Sequence, residues 1–343
     1  MSATEVADPR EEKLTRHLSM SPFRTLKAVV IRYRVRFSLL LALFIFAAFV
    51  ILLLSNSVVA HESSQRYENS QDVLYFRFLV FALPLLIGAF FGAPLLASEH
   101  ESGTFRFAYT QSVGRRRLLL VSVLTHIVVI FCGSILVALS IARFYHYDDQ
   151  FQSSGAWSIG VFFSQPAILP ATVVMAFSFG FLIGGLVRRV VASIAITTGG
   201  FAAFVALAYS GLYKRSMAIV ARSVMTNDPG ATNPKTLKVL GYSSWRAFHS
   251  HSTVIQEWVQ NRAGNHLGNS LSPAQFAKLH DTKSYTYWLQ YVSNGRSTEL
   301  LMIWSACFLT ASALMLTVGL VGEVSRPFSR LGRRIDRRRP RVD

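Results

Sequence analysis

One short stretch of the chain gathers most of the side chains that could do chemistry together: Ala97-Ser-Glu-His-Glu-Ser-Gly-Thr-Phe-Arg-Phe-Ala-Tyr-Thr-Gln-Ser-Val-Gly-Arg-Arg-Arg117. It holds no nucleophile paired with a base. Its chemistry is that of docking. Glu99 and Glu101 leave an apolar run carrying negative charge, and Gly103 allows a sharp change of direction. Phe105, Phe107 and Tyr109 interleave with Arg106. A short amphipathic helix here would lie across the base of a membrane and offer aromatics and charges to a partner. Arg115, Arg116 and Arg117 would then anchor the next apolar run at the lipid headgroups.

Other reactive residues are scattered. His126 sits in the middle of an apolar run, where a histidine that hydrogen-bonds a neighbouring helix is expected ahead of a proton relay. His249, His251, His266 and His280 have no cysteine or carboxylate at metal-ligand spacing and read as surface histidines. Cys132 and Cys307 each lie mid-run and read as two small core residues, with no disulfide framework. No Lys follows a Gly, so a Gly-x-x-x-x-Gly-Lys phosphate loop does not occur. Paired catalytic residues and intramembrane carboxylate pairs are missing too, which disfavours an enzyme and an ion-coupled carrier.

The elements that must position these residues follow from hydropathy. Of the 343 residues 51% are hydrophobic and 15% charged, against roughly 25% charged in soluble domains. The charge is absent from six runs, each near the ~20 residues that a membrane helix needs. They span about 37–59, 73–97, 118–142, 161–187, 190–212 and 300–321. The expected fold is an all-α polytopic membrane protein of six transmembrane helices. The net charge of +17 is read as orientation, with no nucleic-acid partner, because the cations flank the apolar runs. They lie at Arg10 to Arg36, at Arg106 and Arg115 to Arg117, at Arg188 and Arg189, and at Arg326 to Arg341. This pattern puts both termini in the cytoplasm. No secretory signal is read at the start.

The domain plan is then a cytoplasmic tail with a basic lead-in over 1–36, five spans over 37–212 with a cytoplasmic turn at 98–117, an extracellular segment over 213–299, a sixth span over 300–321, and a basic cytoplasmic tail over 322–343. The lead-in from Pro22 to Phe37 reads either as an interfacial amphipathic helix or as a polar run whose charges serve orientation. The extracellular segment is expected to be partly helical. Residues 244–259 place Trp245, Phe248, Ile255, Trp258 and Val259 at helical spacing. Ser272 and Pro273 open a second helix over 274–280. Gly180 and Gly184 form a small-xxx-small pair in the fourth span, which reads first as helix packing.

The run Glu-His-x-x-Gly-x-Phe-Arg, from Glu99 to Arg106, resembles the second-to-third-span segment of export-type (type-2) ABC transporter permeases. Together with Thr110-Gln111-Ser112 and the basic triplet it looks closer still to membrane subunits of actinobacterial drug and antibiotic exporters. The six-span plan, the basic lead-in and the large segment before the last span fit the same resemblance. It implies that the turn is a coupling helix docking on an ATPase, with Glu99, Glu101, Gly103, Phe105 and Arg106 as its working residues. It implies a second permease subunit, alike or different. It also implies a separate ATPase chain holding ATP and Mg, with no cofactor in this chain and no ATPase site of its own. In such permeases the second and fifth spans enclose the cavity. Ile87, Phe90, Phe91, Thr197, Thr198 and Phe201 are then candidates to line it, or else pack or face lipid.

The resulting expectation is a plasma-membrane exporter subunit, from a bacterium, for a hydrophobic or amphipathic cargo such as a drug, antibiotic or lipid. The rival is a non-transporting membrane sensor, or an integral membrane enzyme acting through the external segment.

Overall fold

A computed structural model describes residues 22–61, 79–102, 115–147, 159–208, 215–216, 222–226, 252–261 and 285–325. Six of its helices are long and apolar enough to cross a membrane. A short helix α1, Pro22–Arg32, leads into the first of these, α2, Arg34–His61. The second is α3, Leu79–Glu101, and the third is α4, Arg115–Tyr147. A short helix α5, Ile159–Ser164, precedes the fourth, α6, Ile168–Val187. The fifth is α7, Val190–Leu207, and the last is α8, Asn294–Ser325.

Each expected span is present, with shifted ends. The fourth starts later than its apolar run. Pro166 lies in the break between α5 and α6, where a missing N–H and a fixed φ are tolerated because no helical bond is required. The second runs on through Glu101, so both carboxylates ride on its last turn instead of leaving it.

The core forms around α6, which is buried along most of its length and touches α3, α4, α7 and α8. Glycine makes this crowding possible. A Cβ on Gly88 would lie 2.6 Å from the Ala176 carbonyl oxygen, and a Cβ on Gly180 would strike the Gly88 carbonyl oxygen. Gly92 meets the backbone of Phe177, and Gly184 meets that of Ala93, in the same way. Two small-xxx-small pairs, Gly88/Gly92 and Gly180/Gly184, thus face each other and bring two backbones into contact, which suits association in lipid, where apolar side chains gain nothing from leaving the solvent. Within the contact, Ile87–Gly92 forms a π turn, a wider winding than the α-helix around it.

Many polar side chains in the spans are satisfied on their own helices, while Ser122 Oγ and Thr197 Oγ1 are buried without a partner among the described residues. Thr125, Ser134, Ser140, Thr172, Ser178 and Ser312 each donate to the carbonyl four residues earlier, as a solvent without hydrogen bonds requires. The outer surface carries exposed Leu39, Phe46, Leu124, Val128, Ile303 and Leu314. Cys132 and Cys307 also lie on that surface, so they are not the core residues expected. Being small and weakly polar, they sit as readily against lipid as in packing.

The segment before the last span departs most from expectation. Among the described residues it holds three strands and almost no helix: β1 Arg222–Thr226, β2 Ser252–Asn261 and β3 Tyr285–Ser293, antiparallel in the order β1-β3-β2. Residues 252–259 are therefore strand, not the end of an amphipathic helix. Val254 pairs with Tyr291 and Gln256 with Gln290, so Ile255 is an extra residue in a bulge. The bulge breaks strict alternation and leaves Ile255, Trp258 and Val259 at spacings that mimic a helical face. The first part of that expected helix, and the one over 274–280, lie outside the described residues. β3 passes directly into α8, Ser293 to Asn294.

Gly180→Ala is expected to lower the unfolding temperature of the detergent-solubilised protein by several degrees, as overpacking costs about 1–3 kcal/mol. Gly199, where an added Cβ meets nothing within 4 Å, is the control. Gly199→Ala should leave the temperature unchanged or raise it slightly.

Candidate functional site

The last turn of α3 sits at the end of the bundle where the arginines gather, and both of its carboxylates are engaged. Glu99 Oε1 accepts a hydrogen bond from the Tyr33 hydroxyl at 2.6 Å and from Arg32 Nη2 at 3.2 Å. One residue earlier, Ser98 Oγ accepts from Arg36 Nη2 at 3.0 Å and donates to the Pro94 carbonyl at 2.6 Å. The guanidinium carbons of Arg32 and Arg36 each lie 5.6 Å from the centre of the Tyr33 ring, within reach of cation–π attraction. Arg32, Tyr33 and Arg36, within little more than one turn across the α1–α2 junction, therefore grip one turn of α3.

Local sequence explains the grip. Val29, Tyr33, Leu40 and Phe44 are buried in a stripe at helical spacing, which turns Tyr33 inward while Arg32 and Arg36 flank it. Burial pushes the Tyr33 phenol well above its ordinary range. The charge of Glu99 and its hydrogen bond push the same way, and the two arginines pull less strongly against them. The phenol thus keeps its proton and donates. Since the shift is upward, the bond holds at neutral and mildly alkaline pH and is lost only as pH climbs beyond the usual tyrosine range.

Glu101 does different work. Its Oε2 accepts the backbone N–H of Val190 at 3.0 Å. Val190 opens α7, and the preceding Arg189 supplies no side-chain cap. An anion borrowed from another helix thus satisfies one of the unpaired N–H groups there and suits the helix dipole. The α6–α7 connection that presents this N–H is only Arg188 and Arg189, and Arg188 has φ 59°. Gly103, Phe105 and Arg106 lie outside the described residues, so of the five expected docking residues the structure places Glu99 and Glu101.

His126 backs the same cluster. Its ring lies between Phe37, at 4.4 Å, and Phe177, at 6.0 Å and nearly parallel, with Tyr33 edge-on at 5.6 Å. Its Nδ1 is 2.7 Å from the Ser122 carbonyl oxygen, which only accepts, so Nδ1 carries a proton. The partner is on its own helix, not the neighbouring one that was expected. No group of three metal-binding side chains occurs among the described residues, and His249, His251, His266 and His280 lie outside them.

The six expected lining residues separate. Ile87, Thr197 and Phe201 are buried inside the chain, Phe201 packing on Phe204 at 5.8 Å. Phe90 is 57% exposed, and Phe91 and Thr198 are half-buried. The helices that carry them, α3 and α7, are in contact. Sequence reasoning took Tyr33, Arg32 and Arg36 for interfacial and orienting residues and missed their convergence on Glu99. The signal was the i, i+4 placement of Val29 and Tyr33 within a run of cations.

Tyr33→Phe should destabilise the protein by about 1–3 kcal/mol, because it removes a half-buried hydrogen bond to a charged group. Arg32→Gln should cost under about 1 kcal/mol, because that ion pair is partly open to solvent. Denaturation in mild detergent, followed by the loss of binding to a conformation-sensitive probe, measures both. Equal losses would contradict the ranking.

Residues 40–211 match the family model described as ABC-2 membrane transporter related, a range that takes in most of the first span, the next four, and Ser98, Glu99, Glu101 and Val190 of the cluster, while Arg32, Tyr33 and Arg36 precede it. No curated protein and no solved structure matches the chain. A six-helix bundle whose second span ends in two engaged carboxylates, and half of whose length matches that model, belongs to the ABC-2 membrane transporter related family.

Proposed function

We propose that this multi-pass membrane protein is the permease subunit of an ATP-driven exporter of a hydrophobic or amphipathic cargo, a drug, an antibiotic or a lipid. Membership of an ABC-2 permease family implies an ATPase partner. In this reading the partner binds ATP and Mg, and it docks on the segment between α3 and α4. A second permease subunit completes the pathway, and both termini face the cytoplasm of a bacterium. The chain performs no hydrolysis itself.

The observation that carries this reading is the double attachment of the last turn of α3. Glu99 ties it to α1 and α2, and Glu101 ties it to α7. A pull on the segment that follows therefore reaches three other helices through three charge-assisted bonds. Closure of two ATPases around ATP supplies such a pull. Farther along α3, the contact with α6 transmits it toward Phe90 and Phe91 on the π turn. Of the candidate lining residues, Phe90, Phe91 and Thr198 can meet cargo without unpacking, whereas Ile87, Thr197 and Phe201 can do so only when the helices part. An apolar cargo fits the spans, because the polar side chains there are mostly turned back onto their own backbone.

The test is a complex purified from native membranes. A nucleotide-binding ATPase should co-purify, and Arg106→Glu in the docking segment should reduce cargo-stimulated ATP hydrolysis at least tenfold while the chain still inserts. A chain that extracts without any ATPase, or hydrolysis unchanged by the substitution, would instead support the sensor or membrane-enzyme alternative.

A further inference from the structure

The helical stretch from Leu26 to Val35, which runs from α1 into the start of α2, has two faces, and only one is accounted for by the grip on Glu99. Val29 and Tyr33 are buried, with α1 packed along α4. The other face, Leu26, Lys27, Val30, Ile31, Arg34 and Val35, is exposed. Its apolar members are 40% to 62% exposed, and its two cations stand seven residues apart, two turns along one line. No Asp or Glu occurs between Pro22 and His61. The inner cations, Arg32 and Arg36, are engaged by Glu99 and Ser98. No described residue engages Lys27 or Arg34 in a hydrogen bond or ion pair.

The packing sets the depth of this face. Phe37 meets His126, and Gly133 meets Phe44. Seven residues along α2 thus match seven along α4, and the two helices run parallel. Carried back by the same spacing, α1 lies beside the start of α4, whose first three residues are Arg115, Arg116 and Arg117. Cations on both helices at one level mark the headgroup layer. The exposed face of α1 also continues into the exposed Leu39, Leu41 and Ile45 of α2, a surface that lipid covers in any membrane-spanning reading.

We propose that this face, from α1 into the start of α2, is a docking site for anionic phospholipid headgroups. Leu26, Val30, Ile31 and Val35 enter the boundary of the acyl chains, and Lys27 and Arg34 hold headgroup phosphates. The continuity with the lipid-facing surface of α2 favours a membrane over a soluble partner. The proposal rests on the membrane part of the functional reading and not on the ATPase. It adds a regulatory consequence: headgroup charge sets the position of the helix that grips the end of α3.

The test uses the full chain alone in vesicles, with Cys132→Ser, Cys307→Ser and a nitroxide attached at Ile31→Cys. Collision with dissolved oxygen and with a water-soluble nickel complex reports the depth of the label. In phosphatidylcholine containing phosphatidylglycerol the label is expected to sit deeper than in phosphatidylcholine alone. That shift should vanish in molar salt and in the double variant Lys27→Gln, Arg34→Gln, and persist in Lys27→Arg. Equal depth in the two lipids overturns the proposal, as does a shift that survives the double variant, which would assign the lipid to the neighbouring arginine triplet. A reference label at Leu124→Cys, on an exposed position of α4, should be shielded from nickel in both lipids. If it is not, the membrane reading falls and this proposal with it, whatever the ATPase does.

Discussion

The close approach of α3 and α6, backbone against backbone at Gly88, Gly92, Gly180 and Gly184, is the contact on which the rest of the bundle depends. In lipid, apolar side chains gain no free energy by leaving their solvent, so helices associate where their surfaces fit closely enough for dispersion to add up. Glycine on both partners gives the closest fit available. With α6 held centrally by this contact, α4, α7 and α8 find their places against it, and α2 packs outside on α4. The residues of α3 are then fixed in rotation, and that rotation delivers Glu99 to Tyr33 and Glu101 to the start of α7.

The two carboxylates show how one helix turn can serve two neighbours. Glu99 faces a partly open ion pair and a buried phenol, and the phenol carries most of the strength because it is the better shielded donor. Glu101 is exposed and meets a backbone N–H at a helix start, where the field of the helix favours an anion. A junction built this way is firm at rest and short-ranged. It suits transmission of a displacement more than storage of energy, and it gives a physical basis for the coupling that the family relationship suggests.

Much of the architecture was legible in the residues. Long runs of Leu, Phe, Ile, Val and Ala bounded by arginine are hard to place anywhere except in lipid, and the six helices appear where those runs stand. The glycine pair in the fourth span was legible as packing, although its counterpart, Gly88 and Gly92, was not singled out. The failures have local causes. A bulge at Ile255 put strand residues at helical spacing, and pairing with β3 is a tertiary fact that periodicity does not carry. The grip on Glu99 joins residues 66 and 67 positions apart, which no local pattern reveals. Ile87, Thr197 and Phe201 were picked by analogy of position along a span, and only the rotation of α3 and α7 decides that they point inward.

The account stands on the segment after Glu101 meeting an ATPase. Photocrosslinking in native membranes tests this most directly, with a benzophenone amino acid placed at Phe107. The account predicts a covalent adduct containing a nucleotide-binding ATPase, formed from Phe107 and not from the same probe at Ser223 in β1. Adducts with no ATPase from any position between 103 and 114, in membranes where the chain is active, would contradict it.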